Sequence, residues 1–285
     1  MDNPIIVALD LPNQQKALEL AEKLAPLVGA FKVGKQLFIS SGPDVVRKLR
    51  ATGAKVFLDL KLHDIPNTVA KAVIAATDLG VQMTTVHASG GTEMLAAAEN
   101  AAHEQAAMLR ADPLLVLAVT VLTSMDEGNL AELGVGGNVQ EQVLRLAKLA
   151  TVAGLRGLVC SPQEIEMLRA ELGDDIQLVT PGIRPASSQP DDQKRTLTPA
   201  EAITAGANWL VIGRPITGAA DPKAAAIGIL HSIDPELVPE SERPEPIPEV
   251  VDCAECGKSL KLDATEQATG RYHCPYCNKD VVHQG

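Results

Sequence analysis

With 285 residues, 46% of them apolar and 21% charged, the chain has the length and composition of one large ordered domain or two smaller ones. Residues 234–285 hold 11 acidic and 5 basic side chains, a net of −6. The overall charge of −11 then leaves −5 for residues 1–233, so neither part offers a basic surface to nucleic acid or anionic lipid. No apolar run approaches the roughly 18 residues of a membrane span, and aromatics at 2% leave the core to Ala, Val, Leu and Ile, which suits helices packed on a parallel sheet.

The chain starts on a strand-like run, Ile5–Leu9, without the basic, apolar and cleavage regions of a signal peptide, which predicts a cytoplasmic protein. Further short apolar runs follow at Ala30–Gly34, Lys55–Leu60, Met83–Val86, Leu114–Val119, Gly157–Val159, Ile176–Val179 and Trp209–Ile212. Between them lie amphipathic stretches long enough for helices, among them Asn13–Leu27, Asp44–Ala51, Val69–Leu79, Glu93–Met108, Val139–Ala153 and Pro162–Leu172. Eight strand–helix units in about 230 residues predict a (β/α)8 barrel. A doubly wound open sheet is the alternative, but no G-x-G-x-x-G follows the first strand.

Residues 234–249 change character. Five prolines among many glutamates predict an extended linker between a barrel domain, 1–233, and a small module, 250–285. In that module Cys253-x-x-Cys256 and Cys274-x-x-Cys277 are separated by 17 residues, the spacing of a four-cysteine zinc ribbon. Four thiolates leave no open coordination position, so a zinc held there is structural. With a four-thiolate zinc centre of net −2, the module's charge is about −3, against nucleic-acid binding, and its partner is not legible. The fifth cysteine, Cys160, reads as a packed small hydrophobe.

In a barrel, chemistry sits at the C-terminal ends of the strands and in the loops after them. Polar residues fall there: Asp10 after the first run, Lys32 on the second, Asp59, Lys61 and Asp64 on and after the third, His87 after the fourth and Thr123 after the fifth. Asp59 and Lys61 are two apart on a strand and so face one side. Acid and base alternating in a confined mouth keep one another charged; the plainer reading of the same pattern is a buried ion-pair layer. His63 reads as a solvated or structural residue. After the last two runs, Pro181-Gly182-Ile183-Arg184 and Gly213-Arg214 match the two loops with which barrels often hold a phosphate. There Gly213 admits backbone N–H groups and Arg214 supplies a planar fork.

These residues resemble the orotidine 5′-monophosphate decarboxylase family, in its bacterial form, from residue 4 to about residue 232. The likeness is carried by Val7-Ala8-Leu9-Asp10, Phe31-Lys32-Val33-Gly34, Leu122-Thr123-Ser124, Pro181-Gly182-Ile183-Arg184, Asp191-Asp192-Gln193-Lys194-Arg195 and Gly213-Arg214-Pro215-Ile216-Thr217. Above all it is carried by Asp59-Leu60-Lys61-Leu62-His63-Asp64-Ile65-Pro66-Asn67-Thr68. D-x-K-x-x-D alone is shared with related sugar-phosphate barrels. The resemblance implies decarboxylation of orotidine 5′-monophosphate in pyrimidine synthesis, with no cofactor for catalysis. It implies Lys61 as proton donor to C6, Asp59 beside the substrate carboxylate, and Lys32 and Asp10 on the ribose and in the charge network. Thr123 would hold the pyrimidine, and Arg184, Gln193 and Arg214 the 5′-phosphate. It also implies a homodimer in which Asp64 and Thr68 reach the partner's site. Lys35 departs from the family pattern, where an apolar residue is expected, and so does everything after about residue 234. Two other readings stay open: a metal-dependent sugar-phosphate decarboxylase or aldolase on the same scaffold, and a zinc-ribbon interaction protein carrying an inactive barrel.

Overall fold

A computed structural model of the chain describes residues 3–185, 197–243, 250–263 and 271–282. It divides into two compact units, Met1–Pro239 and Glu240–Gly285. In the first, eight parallel strands close into a barrel in sequence order: β1 (Ile5–Ala8), β2 (Ala30–Gly34), β3 (Val56–Leu62), β4 (Met83–His87), β5 (Leu115–Val119), β6 (Gly157–Val159), β7 (Gln177–Pro181) and β8 (Trp209–Ile212), which pairs with β1. The helices, in chain order, are α1 (Gln14–Leu24), α2 (Lys35–Ser41), α3 (Asp44–Ala51), α4 (Pro66–Asp78), α5 (Gly91–Leu109), α6 (Glu127–Glu132), α7 (Val139–Val152), α8 (Ile165–Leu172), α9 (Pro199–Thr204), α10 (Arg214–Thr217) and α11 (Pro222–Ile233). Among the described residues no helix is long and apolar enough to cross a membrane.

The strands sort their side chains by the two-residue period. Ile5, Val7, Phe31, Val33 and Leu58 pack outward with the helices, while Ile6, Ala8, Ala30, Phe57 and Met83 fill the barrel. That alternation aims Lys32 and Asp59, two residues beyond Ala30 and Phe57, inward near the C-terminal mouth. Local chemistry sets the helix starts: the side chains of Asn13, Asn138 and Asp221 accept backbone N–H groups from the first turns of α1, α7 and α11, and Pro66 opens α4. Lys35 is the exposed first residue of α2, which is why a charge is tolerated there.

The barrel unit runs past residue 233. After α11 a short turn, Pro235–Leu237, brings Val238 to 2% exposure in the core with Leu237 packed against it, so the boundary falls at Pro239. The proline-rich composition there belongs in part to a strap on the barrel.

The second unit has two antiparallel pairs, β9 (Val250–Asp252) with β10 (Ser259–Lys261) and β11 (Arg271–Cys274) with β12 (Lys279–Val282). Val251, Leu260, Leu262, Tyr272 and Val281 form its small core with Cys253 and Cys274.

Candidate active site

At the C-terminal end of the barrel the charges predicted from the sequence meet. The Lys61 ammonium donates to both Asp59 oxygens, at 2.7 and 2.8 Å. Lys32 Nζ lies 3.7 Å from Asp59 Oδ2 and 3.0 Å from Asp10 Oδ1, giving a continuous run Asp10–Lys32–Asp59–Lys61. The three inner side chains are 11–26% exposed, whereas Asp10 at the rim is 60% exposed. Gly34 makes room for the run: a Cβ there would lie 3.0 Å from Lys32 Nζ and 3.1 Å from Asp10 Oδ1.

Lys61 does not reach Asp59 by strand alternation alone. Leu58 pairs with Thr84 and Leu62 with Val86, so residues 59–61 bulge out of register against a single residue of β4, Thr85. Within the bulge Lys61 takes φ +53, a left-handed conformation that costs a side-chain-bearing residue about 1–3 kcal/mol. Its N–H donates to Thr85 Oγ1 at 2.8 Å, and the same hydroxyl donates to Asp59 Oδ1 at 2.9 Å.

Burial acts to raise the Asp59 pKa, but the charges of Lys32 and Lys61 and the hydrogen bonds from Lys61 and Thr85 outweigh it, and the carboxyl is held below its ordinary value. Asp59 therefore contributes stability above the usual carboxylate range, and that contribution is lost as pH falls below about 4. The neighbouring His87 is shifted the other way. Burial, then His63, whose ring centroid lies 5.6 Å away, then Lys35 and Lys61 all lower its pKa and favour the neutral ring.

Lys32, Asp59 and Lys61 line a cavity of ≈ 190 Å³ together with Thr123, Leu122, Phe57, Cys160, Pro181 and Val211. Apart from these three charges and Thr123 the wall is apolar, so a ligand in contact with Lys61 and Asp59 meets mostly hydrocarbon elsewhere. Cys160 is thus part of the cavity wall as well as of the core, and burial pushes its thiol up to about 12. On the phosphate side of the prediction, Arg214 opens α10 directly after Gly213, and Ile216 and Thr217 N–H both return to Gly213 O at 2.9 Å. Ile183 bridges Leu197, Arg184 N–H donates to Leu197 O at 3.0 Å, and the Arg184 guanidinium donates to Ile183 O. Gln193 lies outside the described residues. Asp64 and Thr68 are exposed and stand apart from the cluster; Asp64 accepts the N–H of Ile65, itself 67% exposed.

In the second unit the sulfurs of Cys253, Cys256, Cys274 and Cys277 all lie within 4.8 Å of one another, with 3.7 Å between Cys256 and Cys274 and 3.9 Å between Cys253 and Cys277. Disulfide bonding needs about 2.05 Å. A tetrahedral centre with metal–sulfur bonds near 2.3 Å puts its sulfurs about 3.8 Å apart, so the four fit a zinc ion. The two Cys-x-x-Cys turns are built alike. Each is followed by a left-handed residue, Gly257 (φ +70) or Asn278 (φ +54), and then a lysine that reaches the other turn. Lys258 lies over the Tyr276 ring at 4.7 Å, and Lys279 pairs with Glu255.

Residues 3–229 match the family described as orotidine 5′-phosphate decarboxylase / HUMPS. The chain belongs to this family. Orotidine 5′-phosphate decarboxylases from Idiomarina loihiensis and Nitrosococcus oceani are 54% and 52% identical to it, over 80% and 82% of this chain and 97% of each relative. A solved structure of the Lactobacillus acidophilus orotidine 5′-phosphate decarboxylase superposes with a TM-score of 0.73 at 43% identity, covering 82% of this chain and all of that one. The decarboxylase family resemblance and the closed barrel read from the sequence are both borne out. The family match ends at residue 229, ahead of the cysteine module.

Proposed function

We propose that the barrel decarboxylates orotidine 5′-monophosphate to uridine 5′-monophosphate, the pyrimidine-biosynthesis step for which its relatives are named, with Lys61 as the proton donor. The observation that carries the mechanism is the Asp10–Lys32–Asp59–Lys61 run at the edge of a largely apolar cavity. When the C6–carboxylate bond breaks, carbon dioxide leaves and its electron pair stays on C6, a carbon with no good electron sink. A fixed ammonium beside C6 stabilises that charge and then transfers a proton to it, leaving a neutral amine that solvent reprotonates. Asp59, kept ionised by Lys32 and Lys61, stands beside the substrate carboxylate. At an effective dielectric of about 20 and 4 Å, like charges repel by roughly 4 kcal/mol, of which only the part relieved on reaching the transition state speeds the reaction. Lys32 and Asp10 take the ribose hydroxyls and Thr123 the pyrimidine. Arg184, Gln193, Gly213 and Arg214 take the phosphate, whose binding energy helps position the reacting end. The test is the fall in ultraviolet absorbance when purified protein meets orotidine 5′-monophosphate in the presence of a chelator. Turnover that needs a divalent metal favours the sugar-phosphate alternative, and no turnover favours the inactive scaffold.

In the cytoplasmic homodimer that the family resemblance implies, the exposed Asp64-Ile65 pair and Thr68 are free to complete the partner's site. Subunits carrying Asp64→Ala and subunits carrying Lys61→Ala, each inactive alone, are expected to regain activity on mixing, because a mixed dimer holds one intact site. Absence of recovery after demonstrated subunit exchange removes the shared site.

The cysteine module holds one structural zinc, the reading its four-sulfur geometry favours. A module this small draws its folding energy from the metal. A chain ending at Pro239 is expected to retain kcat/KM within about tenfold, or ~1.4 kcal/mol, and to carry no zinc, against one zinc per full-length chain by elemental analysis. A larger loss, or a zinc-free full-length protein, ends the independent-module reading.

A further inference from the structure

We infer that Thr85 is a positioning residue of the active site, whose hydroxyl sets both the Lys61 backbone and the Asp59 carboxylate. The inference rests on the proposed roles of those two residues. Thr85 is fully buried and stands on β4 opposite the three-residue bulge of β3, where the ladder between the strands is interrupted. A bulge leaves backbone groups without ladder partners. Here the Lys61 N–H finds its acceptor in the Thr85 hydroxyl, and the single proton of that hydroxyl is then committed to Asp59 Oδ1. One oxygen thus joins the turn that launches the Lys61 side chain to the carboxylate that receives its ammonium. The direction of both bonds is fixed, because the backbone N–H can only donate and an ionised carboxylate can only accept. Thr84, the preceding residue, has its own hydroxyl turned to Leu58 O, an ordinary bond behind the sheet. Alternation of the strand therefore gives two adjacent threonines different tasks.

The experiment compares wild type, Thr85→Val and Thr85→Ser. Valine keeps the shape and removes the hydroxyl, leaving a buried donor and a buried carboxylate oxygen short of a partner. We expect kcat to fall roughly 10- to 100-fold, with KM within about threefold because the ribose and phosphate contacts lie elsewhere. Binding of uridine 5′-monophosphate should stay at one per chain, which separates mispositioning from a loss of folded protein. The acid limb of the kcat profile should move to higher pH, since ionised Asp59 loses a donor while Lys32 from β2, Lys61 from β3 and His87 from β4 still face it. Serine should restore both kcat and the profile. A Thr85→Val enzyme with kcat within threefold of wild type overturns the assignment, as does a Thr85→Ser enzyme no better than valine, or a fall in kcat matched by lost nucleotide binding. Should the valine variant fail to fold, Thr85→Ala carries the same comparison. Wild-type protein silent on orotidine 5′-monophosphate overturns the proposed activity and this role with it, whereas an active wild type with an unimpaired valine variant overturns the Thr85 role alone.

Discussion

Lys61→Ala is expected to lower kcat by 10²–10⁴-fold, the range for removing a positioned general acid, while leaving binding of uridine 5′-monophosphate largely intact. The separation follows from where the residue sits. Lys61 projects into the apolar cavity from a bulge at the end of β3, whereas Gly213 and Arg214 follow β8. Two losses combine in the variant. The departing carboxylate's electron pair has no ammonium beside it, and Asp59 keeps only the more distant Lys32, at 3.7 Å, and the Thr85 hydroxyl to hold its charge. The carboxyl pKa then rises, so the remaining activity should be more sensitive to acid than that of the wild type. Steady-state kinetics with nucleotide titration read both effects, and more than about a hundredth of wild-type activity would take the proton-donor role away from Lys61.

The second large effect is expected at Arg214. Its Ala variant should lose roughly 2–4 kcal/mol of transition-state binding, about 30- to 1000-fold in kcat/KM, the scale of a charge-assisted bidentate contact whose loss leaves an anion partly unpaired. The backbone that presents Arg214 is well fixed, with Ile216 fully buried and two N–H groups tied to Gly213 O. Truncation should therefore act through the guanidinium and not through a rearranged loop. The control is orotidine, the nucleoside without the phosphate: kcat/KM for it should be the same in both proteins. An unchanged value for the nucleotide, or an equal loss for the nucleoside, excludes Arg214 from the phosphate site.

Much of this is legible in the sequence, for reasons that differ by element. The eight strands are legible because parallel strands buried on both faces are short, continuous and apolar, and Asp59 stands out as a charge inside such a run, with Lys61 just beyond its end. The bulge is not legible, since strict alternation also predicts that Asp59 and Lys61 face together; the apolar run predicts a strand that stops at Leu60, and the strand continues to Leu62. Thr85 escapes a reading of the sequence because a β-branched residue in a strand looks like packing, and only the missing ladder partner reveals the use of its hydroxyl. The short helices α2, α6, α9 and α10 are too brief for a helical period to emerge, although Thr198-Pro199-Ala200-Glu201 carries a readable capping box. The strap that ends at Pro239 is hidden by its own composition, because two apolar residues, Leu237 and Val238, decide its packing within a run of prolines and glutamates.

The wall of the cavity includes a sulfur, and its environment decides what kind of damage the protein can suffer. With the Cys160 thiol pushed up to about 12 by burial, it stays protonated at neutral pH. Alkylating agents and peroxides attack the thiolate, so Cys160 is expected to react slowly although it lines the pocket. The other four cysteines are gathered in the C-terminal module, where Cys256 is exposed and metal ligation would keep the sulfurs deprotonated. With a metal bound there, peroxide is expected to react at the cysteine module before it reaches the sulfur of the pocket.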